Sequence, residues 1–261
     1  MQLTRPPAVA GMFYPADKHQ LQSMIQSYLD HTTPVGGLPK AIIAPHAGYV
    51  YSGPIAASAY ARLQQGRGRI NRVVLLGPAH RVGFRGCALS KALWFATPLG
   101  NITVDREACA KLKALPFVQE LDQAHAEEHS LEVHLPFLQE VLGAFSLVPV
   151  VVGDASPEDV ARLLDSLWGG DETLIVISSD LSHYHDYATA KRMDQTTSEA
   201  IVDLRPEELN FESACGRLPV SGLLLVAKQR GMTVEALDVR NSGDTAGSKD
   251  RVVGYGSYAF Q

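Results

Sequence analysis

Four short runs of the chain, Ala41–Ala44, Arg72–Leu76, Leu147–Val152 and Thr173–Ser178, are almost continuously apolar and rich in Val, Ile and Leu. Runs of this kind suit strands buried on both faces, as at the centre of a parallel sheet. Between and after them lie stretches with helical spacing of apolar residues: Lys18–Leu29, Gly53–Gln64, Arg106–Leu115, Pro157–Leu167, Lys191–Leu204 and Val220–Arg230. Pro157 follows Ser156, a natural N-cap with proline at the first helical position, and Glu158 and Asp159 put negative charge in the first turn. The alternation predicts an α/β fold with a mainly parallel central sheet and helices on both faces. Thr32–Gly37 is a loop, Asn241–Asp250 is turn-forming, and Arg251–Phe260 reads as a final strand. No fixed-period repeat, low-complexity tract or Gly/Ser linker interrupts the pattern, so residues 1–261 are expected to form a single domain.

Composition narrows the function classes. Hydrophobic residues make up 46% of the 261 residues and charged residues 20%, ordinary values for a globular protein with a substantial core. A formal net charge of −5, with no cluster of Lys and Arg, argues against a nucleic-acid partner. The start, MQLTRPPAVAGMFYP, lacks the basic end and long apolar core of a signal peptide, and no apolar stretch reaches the roughly 18 residues of a membrane span. A cytoplasmic protein with no membrane partner is the expectation. Cys87, Cys109 and Cys215 are odd in number and lack CxxC spacing, so neither a disulfide framework nor a cysteine zinc site is suggested. GxSxG, P-loop and GxGxxG motifs are absent, which weakens serine-hydrolase, NTPase and dinucleotide readings.

The candidate chemistry lies in histidines that follow strands. His46 in AIIAPHAGY, His80 in VVLLGPAH and His183 in LIVISSDLSHYH each come a few residues after an apolar run. In open α/β sheets, ligands bind beyond the carboxyl ends of the parallel strands, so all three are predicted at one rim. Two histidines and a carboxylate make the facial triad of non-haem Fe(II) sites. Asp244, in the loop NSGDTAG before the last strand, is the chosen carboxylate; Asp180 is its rival, and a plain Asx-turn is the bland reading of Asp244.

Other residues join as neighbours of that rim. In EEHSLEVHLPFL, His129 and Glu132 are three apart and share a helical face, while Pro136 limits how far a regular helix extends; both are placed beside the site. Cys215 in ACGRLPVSG has Arg217 nearby and precedes a predicted helix, features that lower a thiol pKa, although a buried structural cysteine is the commoner case. Tyr49, Tyr51 and Tyr184 are candidate pocket aromatics that could equally pack the core.

Together the motifs AGMFYP, PHAGYVYSG, LLGPAH, EEHSLEVHLPFL, SSDLSHY, CGRLP, SGDTAG and VVGYGSYAF resemble those of the Memo family, known in prokaryotes as the B component of the AmmeMemoRadiSam system. The resemblance runs over essentially the whole chain. It implies a fold similar to the class III extradiol (LigB-like) dioxygenases, with His46 and His80 as metal ligands and His183 as the acid/base histidine. At the third ligand position the vertebrate members are described with a cysteine and the dioxygenases with a glutamate; the matching loop here offers Ser242 and Asp244, and Asp244 is taken. The implied cofactor is Fe(II), with Cu or Zn as alternatives, and the implied activity is a dioxygenase or redox reaction on a small molecule with metal-chelating oxygens. A zinc hydrolase and a phosphopeptide-binding adaptor are the competing functions. Radical-SAM and AMMECR-type proteins are the partners that the family name implies.

Overall fold

The computed structural model describes residues 3–261. Its strands are β1 (Thr4–Arg5), β2 (Ala41–Ala44), β3 (Arg72–Pro78), β4 (Cys87–Leu89), β5 (Trp94–Thr97), β6 (Gly100–Val104), β7 (Val118–Glu120), β8 (Ser146–Val152), β9 (Thr173–Ser178), β10 (His183–His185), β11 (Val234–Asn241) and β12 (Val252–Phe260). All belong to one sheet, in the order β1-β5-β6-β8-β3-β9-β2-β12-β10, with β11 on β12 and the β4–β7 pair on β8. The four apolar runs are the parallel centre, β8-β3-β9-β2. Every residue of β2 and β9 is buried, which is why these strands carry no alternating polar face. The last strand runs antiparallel to β2, pairing Tyr258 with Ile43 and Phe260 with Ala41.

The helices are α1 (Lys18–Asp30), α2 (Tyr49–Leu63), α3 (Arg106–Leu112), α4 (Asp122–Ala126), α5 (His129–Glu132), α6 (His134–Leu142), α7 (Pro157–Ser166), α8 (Tyr187–Val202) and α9 (Arg217–Gln229). One layer packs α2 with α1 and α6 and lays it on β2 and β12; another packs α9 with α7 and lays it on β3 and β9. The fold is thus the layered α/β arrangement expected from the alternation of apolar runs and helical stretches. The start of α7 is as read: Ser156 accepts from the Asp159 N–H at 3.0 Å, and Pro157 occupies the first turn.

Several elements depart from the sequence reading. Helix α2 begins at Tyr49 rather than Gly53; Gly53 sits inside it because a Cβ there would lie 2.5 Å from the Tyr28 ring of α1. EEHSLEVHLPFL is two short helices, not one, broken at Val133: Pro136 has no N–H to continue the ladder. The half-exposed strand β11 and the short strands β4 to β7 carry little continuous apolar signal, and the sequence reading passed over them.

Candidate metal centre

Three loops leave the parallel strands at the same rim with the same spacing: His46 lies two residues past β2, His80 two past β3 and Asp180 two past β9. The rings of His46 and His80 stand edge to face with centroids 5.1 Å apart, and His129 stacks on His80 at 4.6 Å. Cys215, just ahead of α9, enters from the other side, its Sγ 3.4 Å from His46 Nε2. One ligand atom each of His46, His80 and Cys215 lies within 4.8 Å of the other two. Donors sharing one ion at 2.0–2.3 Å stand roughly 3–4 Å apart, so the set fits a first-row metal ion with little adjustment.

The other ring nitrogens are committed. His46 Nδ1 is 2.6 Å from Ser178 Oγ, and His80 Nδ1 is 2.8 Å from Glu128 Oε1. Each Nε2 is thereby left to the shared space, the arrangement in which an outer partner fixes a ligand histidine's tautomer and orientation. A second group, His80, Glu128 and His129, also meets within 4.8 Å. Glu128 is already an acceptor for the His80 ring, the His80 backbone and the Ser130 N–H, so we read it as the anchor of His80.

Electrostatics favour the neutral form of His46, His129 and His183. Burial, then the neighbouring His80, His129, His134 and His183, holds His46 well below the ordinary histidine range. Burial and His80 likewise push His129 down to about 4, and burial lowers His183. Neutral imidazoles are the ligand form. Burial and the nearby Asp180 raise the Cys215 thiol, so an ion binding there would displace a proton. Asp180 itself, buried against the His46 backbone N–H that it accepts at 2.8 Å, is pushed up to about 7.

A family model described as Memo-like protein matches residues 5–259. The chain belongs to the Memo family. A MEMO1 family protein of Ignicoccus hospitalis is 38% identical over 99% of each chain, and one of Aquifex aeolicus is 37% identical over 96% of this chain and 97% of its own. Among solved structures, an uncharacterized protein from Escherichia coli K12 shares the fold, with a TM-score of 0.51 and 12% identity over 82% of this chain and 98% of that one.

In this Memo-family chain the predicted residues sort into two groups. His46, His80, His129, Asp180 and Cys215 come together at the rim. His183, in β10, pairs with Val253 at the start of β12 and is close enough for His80 to lower its pKa. Asp244 stays outside the histidine group. Its strand does start at this rim, but Oδ1 accepts from the Tyr187 hydroxyl at 2.6 Å and Oδ2 from the Asn241 N–H at 3.0 Å in a capping box, and the group that lies with His46 and His80 is the Cys215 thiol.

Glu132 and Tyr49 are also elsewhere. Glu132 is buried under the N-terminal segment, bound by Arg5, Tyr14 and the backbone of Ala8 and Val9. Tyr49 packs in the core against Tyr14 and Phe137 and donates to the Val133 carbonyl. Tyr51 and Tyr184 are exposed. Sequence reasoning missed Glu128, and it cast Cys215 as a second-line nucleophile. A signal for Cys215 was present: in an α/β layer, residues just before a helix return to the strand-end rim, as residues just after a strand do.

Proposed function

We propose that this Memo-family protein is a metal-dependent redox enzyme of the extradiol-dioxygenase type, with His46, His80 and Cys215 as ligands. The convergence of the two imidazoles and the thiol within 4.8 Å carries the reading. Bound there, Fe(II) would supply dioxygen chemistry on a small molecule that chelates through adjacent oxygens; the thiolate equally admits copper. The chain's own residues do the rest. Ser178 and Glu128 hold the two rings in register, and Asp180 fixes the His46 backbone. His183, kept neutral at pH 7 by burial, accepts a proton from the substrate and returns it. The free thiols Cys87, Cys109 and Cys215 suit a reducing cytoplasm.

Anaerobic purification followed by metal analysis by mass spectrometry tests the reading. Wild type is expected to carry close to one ion per chain, lost in His46→Ala, His80→Ala and Cys215→Ala but kept in Asp244→Ala. His183→Ala keeps the ion and loses turnover. Folded wild type that binds no metal would sink the proposal. Two histidines, a thiolate and a water also satisfy zinc, so a hydrolase is the second reading; turnover that needs no dioxygen would select it.

A further inference from the structure

A cavity of about 540 Å³ opens onto the candidate centre, and both His80 and Cys215 line it. That volume is in the range of sites for small molecules. The same lining holds Arg81, next to His80, and Arg217, two residues past Cys215. Elsewhere among the described residues Arg5, Arg62, Arg72 and Arg240 each have a carboxylate within 4.0 Å, while Arg67, Arg85, Arg192 and Arg251, outside this lining, do not. Among the described residues Arg81 and Arg217 have none within that distance. The Arg217 guanidinium is held instead by stacking on the Phe211 ring, 3.8 Å from its centroid, which orders the group without neutralising it.

Deepening the metal-enzyme reading, on which it rests for the position of the reacting end, we propose that this cavity takes a small organic acid with an apolar, planar body. Its carboxylate pairs with Arg217 and Arg81 while the far end reaches the space between His80 and Cys215. Arg81 and Arg217 mark the anionic end, and a carboxylate is the anion assigned to it. Asp154 is in the same lining, so these three side chains sum to about one positive unit before any ion occupies the centre. Phe84 and Leu218 supply the apolar wall that a planar body needs. Arg217 is preorganised, so less rotamer freedom is lost on pairing than with a free arginine.

The test uses the full chain and three probes, benzoate, benzyl alcohol and phenyl phosphate, with binding followed by ligand-observed NMR in wild type, Arg217→Gln, Arg81→Gln and the double variant. Metal content and circular dichroism of each sample are recorded in parallel. Benzoate is expected to bind saturably, more tightly than benzyl alcohol, and to lose about tenfold or more in Arg217→Gln, with a further loss in the double variant. Benzoate affinity unchanged in the folded double variant, or no saturable benzoate binding to wild type, would overturn the proposal. Tighter binding of phenyl phosphate than of benzoate would overturn the carboxylate assignment. The metal reading fails on a different axis: it is read from ion content in His46→Ala and His80→Ala, whereas benzoate binding is also measured on chelator-treated wild type.

Discussion

Glu128 accepts two hydrogen bonds from His80, one from the ring Nδ1–H at 2.8 Å and one from the backbone N–H at 2.6 Å. Burial alone would raise this carboxyl, but the bonds from His80 and Ser130 outweigh it and hold the group down at about 2. Glu128 is therefore ionised across the working pH range and fixes both the tautomer and the direction of the ring. Glu128→Gln should weaken metal affinity by about 10- to 100-fold while the fold survives. Competition against a chelator of known affinity measures this, and an unchanged affinity would remove Glu128 from the centre.

Replacing Asp244 separates the two candidate third ligands. Asp244→Ala breaks the capping box with Asn241 and the bond from Tyr187, and should cost about 0.5–2 kcal/mol in urea unfolding with metal content intact. Cys215→Ser should show the reverse pattern, a small stability change and a large loss of bound ion. The reverse outcome would return the ligand role to the carboxylate.

Glu132 closes the N-terminal segment onto the body of the protein. It is fully buried and accepts from Arg5, from the Ala8 and Val9 N–H groups at 2.7 and 2.9 Å, and from the Tyr14 hydroxyl at 2.6 Å. Glu132→Ala leaves Arg5 buried without its partner and should lower stability by about 3–5 kcal/mol. Thermal unfolding measures the loss. Limited proteolysis should then cut first among residues 6–14, and cleavage elsewhere would show that the pin acts on another part of the fold.

Two buried histidines away from the ligand set make stability depend on acid. Burial lowers His125 to about 4 and His134 to about 3. Each is neutral in the folded chain at pH 5, whereas the unfolded chain takes up a proton near pH 6.5. Their stabilising contribution is full above pH 6.5 and is lost as pH falls toward the folded values, at up to about 1.4 kcal/mol per pH unit per histidine. Urea titrations at pH 7 and 5 should show this drop, and it should shrink in His134→Gln, which keeps a polar group for the Tyr60 hydroxyl, 2.5 Å away. An identical drop in that variant would assign the acid sensitivity to other groups.

How far the molecule could be read beforehand follows from where its signals are local. The parallel centre was legible because strands buried on both faces must be apolar at nearly every position, as in Val73–Leu76 and Leu174–Ile177. His46 and His80 were legible for the same reason, since a strand's carboxyl end marks the rim. Cys215 was legible only as a neighbour of the rim and Glu128 not at all, because each reaches the site from the start of a helix through contacts that span long sequence separations. Glu132 misled: spacing put it on a helical face with His129, but α5 is a single turn and its far side meets the N-terminal segment. Asp244 misled differently, since the loop that carries it does start at the right rim while its oxygens are used locally.

The placement of β12 bears on the order in which the rim can be assembled. This strand follows both of its neighbours in the chain and lies between β2, which precedes the His46 loop, and β10, which carries His183. Until Val252–Phe260 is available, β2 lacks a neighbour on one side and His183 has no strand to fix its register. The rim that holds His46 and His80 can therefore form before His183 is set in place, so on the proposed function an ion could be taken up before the proton-transfer residue is fixed by the docking of one strand.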